Sequence, residues 1–194
     1  MFLSYIGFIF IIIIGMESGS YWNLVWGITY GITLILLHTS STLYHGTINL
    51  NIKKKFRLMD QSCIYLLIAG TYTPIALINL YGPFGFSIFS IIWLLSILGV
   101  FLKIKNIQPF PNFEVFLCLF MGWFALVGIK ELINTMDMNG VFLIFAGGLF
   151  FSIGIFFYSW KTSKYGHAIW HFFYIIGCVC HYLTIACYTI PYKV

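Results

Sequence analysis

Long apolar runs separated by short polar connections make up most of this chain. The runs at 84–102 and 141–160 approach or reach the roughly 20 residues that a helix needs to cross about 30 Å of hydrocarbon. Apolar residues are continuous in these runs rather than alternating, and a backbone in lipid must satisfy its own hydrogen bonds. The pattern therefore predicts membrane-spanning helices rather than a barrel, and the fold class is all-α.

Seven such helices are predicted, with bounds at 2–15, 22–45, 60–80, 84–102, 113–133, 140–160 and 167–190. The connections are short, and no linker or low-complexity tract interrupts them. We therefore expect a seven-transmembrane helix bundle in which residues 1–194 form a single domain. In the third run, Pro74 predicts a kink, and the hydroxyls of Thr71 and Thr73 can satisfy the carbonyls that it frees.

The first run is shorter than the others. A helix of 14 residues covers only about 21 Å, so the first span must extend toward Ser20 or thin the bilayer locally. A signal peptide is the alternative, because its apolar region has this length. No Lys or Arg precedes the run, which disfavours that alternative.

Composition strengthens the membrane interpretation. Hydrophobic residues make up 61% of the chain and charged residues 8%, whereas about a quarter of the residues of a soluble domain are charged. The net charge of +5 could indicate a nucleic-acid partner, but the cations lie in short connections, so we interpret them as a topology signal and expect no nucleic acid to bind. The five cysteines lie within apolar runs and are assigned no chemistry.

The same cations predict an orientation, because cytoplasmic loops of membrane proteins are enriched in Lys and Arg. With a cytoplasmic amino terminus, the inner connections contain eight of the ten cations. These eight are Lys53, Lys54, Lys55, Arg57, Lys103, Lys105, Lys161 and Lys164. Only Lys130 and Lys193 fall outside. We therefore expect an amino terminus in the cytoplasm and a carboxyl terminus outside. As a separate expectation, the protein is located in the plasma membrane.

Four polar residues are predicted to share one membrane depth. His45 ends the second run, Asp60 begins the third, and His167 and His171 begin the seventh. Residues four apart on a helix lie on one face within about 6 Å, so the last two histidines can bind one ion. Ionisable groups in a membrane span are costly and usually face the bundle interior. Three neutral imidazoles suit zinc, with a fourth position left for water, so the residues predict an open zinc site.

Simpler interpretations exist for individual polar residues. Asp60 could cap a helix or pair with a nearby cation, because aspartate is common at helix starts. His38 and His181 are too far along their helices to share the ion, and we expect each to hydrogen-bond a neighbouring helix rather than to line a polar path. The acidic residues near span ends are interpreted as surface groups. These are Glu17, Glu114, Glu131 and Asp137.

Three motifs carry a resemblance to a known family. They are STLYH at 41–45, MDQSCIYLLIAGTYTP at 59–74 and HAIWH at 167–171. In this order they resemble the haemolysin III family, which is similar to the adiponectin and progesterone receptor group and, more distantly, to the alkaline ceramidases. The resemblance covers essentially the whole chain. It consists of the pattern SxxxH, an Asp at the start of the third span, and HxxxH in the seventh.

The resemblance implies seven helices, a cytoplasmic amino terminus and a zinc ion near the inner leaflet. By motif position, His45, His167 and His171 are the implied metal ligands, Asp60 holds the zinc-bound water, and Ser41 supports the site. Two features depart from the pattern. Gln61 follows Asp60 where bacterial members commonly have His, and the chain begins within the apolar run where they commonly have an acidic, histidine-containing segment.

The leading functional hypothesis is a zinc-dependent hydrolase that acts on a lipid amide or ester within the membrane. Bound Zn²⁺ lowers the pKa of water toward about 7 and polarises a carbonyl. Asp60 and Ser41 are the predicted catalytic residues, and a membrane lipid is the expected substrate or ligand. A zinc ion that only joins three helices is the simpler alternative. Two further hypotheses are a lytic or pore-forming protein, although few polar residues are available to line a pore, and a receptor or sensor.

Overall fold

The computed structural model describes residues 1–160 and 165–192, and this part of the chain contains helices and no strand. The helices are α1 Phe2–Glu17, α2 Tyr21–Gly46, α3 Leu50–Asn79, α4 Pro83–Ile104, α5 Phe113–Thr135, α6 Met138–Ser159 and α7 Gly166–Thr189. Six of them, α2 to α7, are long and apolar enough to cross a membrane. The prediction of an all-α membrane protein with seven helices is confirmed.

The start of α3 differs from the prediction. This helix begins at Leu50, ten residues before Asp60, and its first turn is capped by Asn49, whose side chain accepts hydrogen bonds from the backbone N–H groups of Asn51 and Ile52. Hydropathy does not detect this segment because it is rich in lysine, although lysine is a good helix former. Asp60 therefore lies about 15 Å inside α3 rather than at its start, and the interpretation of Asp60 as a helix cap is wrong.

The middle of the bundle contains the irregular end of α3. Pro74 has no N–H to donate to the preceding turn, and Ile75–Asn79 continue the helix as a π-helical turn. The predicted role of the hydroxyls is wrong, because the carbonyl that loses its partner at Pro74 is that of Gly70, and neither hydroxyl donates to it. Thr71 and Thr73 donate to the carbonyls of Leu67 and Ala69, each at 2.8 Å.

The short helix α1 packs against the other helices. Ile11 is fully buried, and Phe8 lies over Gly31 of α2 in a place where any larger side chain would collide with the ring. On the other side of α1, the hydroxyl of Tyr182 in α7 donates to the carbonyl of Gly7 at 3.0 Å. Helix α1 thus contributes to the core between α2 and α7.

Two pairs of antiparallel helices position the site. Helix α2 packs along α3, and α6 packs along α7. Between these pairs lies a cavity of about 310 Å³, which α5 closes on a further side. At the end of the molecule away from His45, the side-chain amide of Asn23 donates to the carbonyls of Ile190 and Tyr192, both at 2.9 Å, and so joins the start of α2 to the residues that follow α7.

The described cations are distributed unequally between the two ends of the bundle. Helix α3 begins and α4 ends at the same end as the carboxyl end of α2, and this end contains Lys53, Lys54, Lys55, Arg57, Lys103 and Lys105. Lys130 lies near the end of α5, at the opposite end. The other cations used in the orientation argument, Lys161, Lys164 and Lys193, lie outside the described residues.

We expect Gly85→Ala to destabilise the bundle by about 1–3 kcal/mol, which is the usual cost of overpacking. A Cβ at Gly85 in α4 would collide with the carbonyl oxygen of Ala76, and backbone cannot rotate away as a side chain can. Gly122→Ala in α5 is the matched control, because a Cβ there meets no atom within 4 Å. Thermal unfolding of the purified protein in detergent measures the stability of both variants. Equal unfolding midpoints for the two variants would contradict this packing of α3 against α4.

Candidate metal centre

Three histidines from two helices converge at one end of the bundle. One ring nitrogen from each of His45, His167 and His171 lies within 4.8 Å of the other two. The Nε2 atoms of His167 and His171 are 3.2 Å apart, and the ring of His45 lies 5.4 Å and 5.2 Å, centroid to centroid, from their rings. Within the described part of the chain this is the group of His, Cys, Asp and Glu side chains that could hold a metal ion.

Helix ends bring these rings together. Helix α2 stops at Gly46, one residue after His45, and α7 begins at Gly166, one residue before His167. The two histidines of α7 are one turn apart, so their side chains project from the same face. The predicted proximity of the HxxxH pair is observed, and so is the predicted meeting of that pair with the end of α2.

The geometry is compatible with zinc. Two nitrogen ligands at about 2.05 Å from a tetrahedral zinc ion are about 3.3 Å apart, which is close to the separation between the Nε2 atoms of His167 and His171. The same separation permits one ring to donate to the other when no cation lies between them. His45 and His167 are exposed and His171 is half-buried, so the cluster is open on one side. Three nitrogen donors with an open side fit the three-ligand arrangement of catalytic zinc sites.

Asp60 and Ser41 lie beside this cluster. Asp60 and Ser41 line one small cavity together with His171, and both Asp60 and Ser41 are half-buried. Asp60 reaches this position from inside α3 because that helix extends beyond the end of α2. Asp60 therefore lies near the histidines as predicted, although α3 begins earlier than predicted.

The large cavity opens at the histidine cluster and continues into the bundle. Its outer part is lined by charged and polar side chains, including Arg57, Asp60, Gln61, His167 and His171. Its inner part is lined mainly by apolar and aromatic side chains. Among these are Ile64, Leu67, Ile68, Leu119, Phe151 and Ile155. The cavity thus has a polar mouth at the candidate metal centre and a hydrophobic interior.

A second, smaller cavity of about 120 Å³ reaches the same groups from the side of α1. It is bounded by Met1, His38 and Ser41, and it shares Asp60 and His171 with the large cavity. Asp60 and His171 therefore form part of the wall between the two cavities.

The two remaining histidines bind backbone carbonyls, as expected for satisfied buried groups. Nε2 of His181 lies 3.2 Å from the carbonyl oxygen of Ile144 in the neighbouring helix α6, which confirms that prediction. His38 differs, because its Nδ1 lies 2.9 Å from the carbonyl oxygen of Leu34 in its own helix. His181 also lines the large cavity.

Two charged residues of the cavity mouth do not belong to the predicted site. The sequence predicts Arg57 to be a topology cation or an ion-pair partner of Asp60, but in the structure Arg57 forms no such pair and lines the cavity one turn before Asp60 and Gln61. Glu114, interpreted as a surface group, also lines the cavity and forms an ion pair in which Lys103 Nζ lies 2.6 Å from Oε1 and 2.7 Å from Oε2. The sequence signal for this position of Arg57 is Asn49, a residue type that commonly caps helices. A helix that begins after Asn49 has Arg57 and Gln61, four residues apart, on the same face.

Comparison with known proteins identifies the family that the three sequence motifs resemble, and the match extends along nearly the whole chain. A family model described as "Haemolysin-III related" matches residues 1–182. The chain is 37% identical to "Hemolysin-3" of Bacillus cereus, over 97% of this chain and 86% of that protein. It is 36% identical to "Hemolysin-3 homolog" of Bacillus subtilis strain 168, over 97% of this chain and 88% of that protein.

A more distant similarity extends to mammals. The chain is 27% identical to the human "Monocyte to macrophage differentiation factor", over 87% of this chain and 72% of that protein. No solved structure matches the chain.

Proposed function

The chain belongs to the haemolysin III-related family, and from this premise we propose that it binds zinc and hydrolyses an amide or ester bond of a membrane lipid. The observation that carries the proposal is the convergence of His45, His167 and His171, with Asp60 beside them, at the polar mouth of a hydrophobic cavity. Ligand cavities in proteins are commonly about 300–1,000 Å³ and mostly apolar, with a few placed polar groups.

The arrangement suits an acyl lipid because the polar and apolar parts of the cavity are in the order that such a molecule needs. The hydrocarbon tail can lie against Ile64, Ile68 and Phe151, which places the first polar bond of the lipid beside Asp60. Helices α2 to α7 are long and apolar enough to span a bilayer, so the protein is a multi-pass integral membrane protein and the substrate is dissolved in the same membrane.

A zinc ion held by the three imidazoles would act as a Lewis acid and make water nucleophilic near neutral pH. The carboxylate of Asp60 accepts the proton of the water that attacks the acyl carbonyl carbon. Asp60 then returns this proton to the leaving nitrogen or oxygen as its bond to the carbonyl carbon breaks. The Ser41 hydroxyl, which faces the carboxylate, can donate to it and fix its orientation. The products are a free fatty acid and an amine or alcohol.

The described cations also support one orientation of the bundle in the membrane. Six described cations, from Lys53 to Lys105, lie at the end of the bundle that carries the histidines, and the positive-inside rule assigns such an end to the cytoplasm. We propose on this basis that the site faces the cytoplasmic leaflet of the plasma membrane. Accessibility of an engineered cysteine at Ile48, between α2 and α3, to a membrane-impermeant thiol reagent tests this orientation on a background without the native cysteines.

Removal and return of the metal tests the hydrolase. The purified protein, reconstituted in phosphatidylcholine vesicles, is offered a panel of acyl amides and acyl esters, and release of free fatty acid is measured before chelation, after chelation and after addition of Zn²⁺. We expect release to fall to background when zinc is removed and to return when it is restored. Fatty-acid release that is unaffected by complete removal of zinc would contradict the proposal.

The same vesicles distinguish the alternatives. Leakage of an entrapped dye without lipid cleavage would instead favour a lytic function, which the name of the Bacillus cereus relative suggests for that protein. Retention of zinc with neither cleavage nor leakage would favour a structural ion in a receptor or sensor.

A further inference from the structure

We propose that the lipid recognised by this site carries a negatively charged head group, and that Arg57 binds this group at the mouth of the large cavity. The inference rests on the proposed function, because it identifies the class of lipid that the same cavity accepts.

Arg57 is placed to reach a head group next to the reacting bond. It lies on α3 three residues before Asp60 and four residues before Gln61, and all three side chains line the cavity. Three residues of helix advance about 4.5 Å along the axis, away from the hydrophobic interior and toward the start of α3. A group held by Arg57 therefore lies just beyond the bond presented to Asp60, where the head group of an acyl lipid must be.

The charge of Arg57 is available to a ligand. Among the described residues Arg57 makes no ion pair, and the single salt bridge at this end joins Lys103 to Glu114. The Glu114 carboxylate, which lines the same cavity, is held by Lys103 on both oxygens and also accepts from the side-chain amide of Gln108 at 3.3 Å. Asp60, the other acidic group at the mouth, lies beside Ser41 and forms no ion pair with Arg57.

The residue type is informative about the ligand. A guanidinium presents a planar fork of N–H donors that matches a phosphate or carboxylate group with two parallel hydrogen bonds. Gln61, on the same face one turn away, offers an amide N–H₂ for a further oxygen. Because the wall changes from Arg57 and Gln61 to Ile64 and Ile68 within two to three turns, the site fits a molecule with an anionic head joined directly to an acyl chain.

The test uses three probes that separate the charge from the acyl chain. Oleoyl lysophosphatidate and monooleoylglycerol have the same acyl ester and differ in the phosphate, whereas glycerol 3-phosphate has the phosphate without the chain. Binding is measured on full-length protein with an Asp60→Asn background in neutral detergent, so that cleavage of the probes is slow compared with the measurement. We expect lysophosphatidate to bind about tenfold more tightly than monooleoylglycerol, as one charge-assisted contact at a partly hydrated site predicts.

Variants of the same helix assign this preference to one side chain. Arg57→Gln should remove the preference, Arg57→Lys should retain part of it, and Lys54→Gln should leave it unchanged, because Lys54 is exposed and does not line the cavity. Arg57 is exposed, so its replacement should not affect folding, which size-exclusion chromatography verifies.

Several results would overturn the inference. One is equal binding of the two lipids, and another is an equal loss of preference in Lys54→Gln and Arg57→Gln. A third is binding of glycerol 3-phosphate that is as tight as that of lysophosphatidate, which would indicate a soluble phosphate ligand. Turnover measured separately with Asp60 intact distinguishes this failure from failure of the hydrolase. An Arg57-dependent preference without cleavage supports the head-group site alone, and cleavage with equal binding of both lipids supports the hydrolase alone.

Discussion

Asp60→Asn is expected to lower the turnover of a cleavable acyl lipid by a factor of about 100 or more while the zinc content stays unchanged. The substitution keeps the size of the side chain and removes the group that accepts the proton of the attacking water. Asp60 is not one of the three residues whose ring nitrogens converge, so the metal ligands remain in place. Initial rates of fatty-acid release and metal content per chain, measured on the same preparation, check both parts.

Asp137→Asn is the matched control for this substitution. Asp137 caps α6 at the opposite end of the bundle by accepting a hydrogen bond from the N–H of Asn139 at 2.8 Å, and asparagine caps a helix about as well as aspartate does. Its turnover should remain close to that of the unaltered protein. If Asp60→Asn turns over lipid as fast as Asp137→Asn, Asp60 is not the proton acceptor.

His45→Ala and His171→Ala should each reduce bound zinc from about one equivalent per chain to nearly none. Each change leaves two imidazoles, and water must then supply the lost ligand to a site that is already open on one side. The loss should occur in both variants because each removes one of the three ligands. Since His45 lies on α2 and His171 on α7, loss in both variants would show that the two helices share one ion. Elemental analysis of protein purified through a tag without histidine gives the zinc content directly.

His38→Ala is the control for zinc loss. His38 lies on the same helix as His45, but its ring binds the carbonyl of Leu34 and is not part of the convergent group. This variant should retain its zinc. A protein that keeps one equivalent of zinc without His45 would show that the three imidazoles do not share an ion.

The histidine cluster could be predicted because two simple regularities determine it. Helix periodicity places His167 and His171 on one face, whatever the rest of the protein does. The boundary between apolar and polar sequence places His45 at the same end of the bundle as this pair, and the short connections limit how far apart the helices can be. Neither regularity depends on the details of side-chain packing.

The position of Asp60 was harder to predict because hydropathy locates the edge of a membrane span rather than the start of a helix. Asn49 and the lysines after it continue α3 well beyond the apolar run, so Asp60 and Arg57 are presented from a helix and not from a loop. The cavity could not be predicted at all, since it depends on the distance between helices that are remote in the sequence. Its charged mouth depends on the same distances, because Arg57 and Glu114 come from different helices and line the same space.

The bonds from Asn23 to the carbonyls of Ile190 and Tyr192 have a mechanical consequence for the histidines. They join the residues that follow α7 to the start of α2, whereas His167 and His171 lie at the other end of a helix of 24 residues, about 36 Å long. A tilt of α7 about this attachment would therefore displace His167 and His171 further than the residues near Asn23, and it would change the distance from both rings to His45.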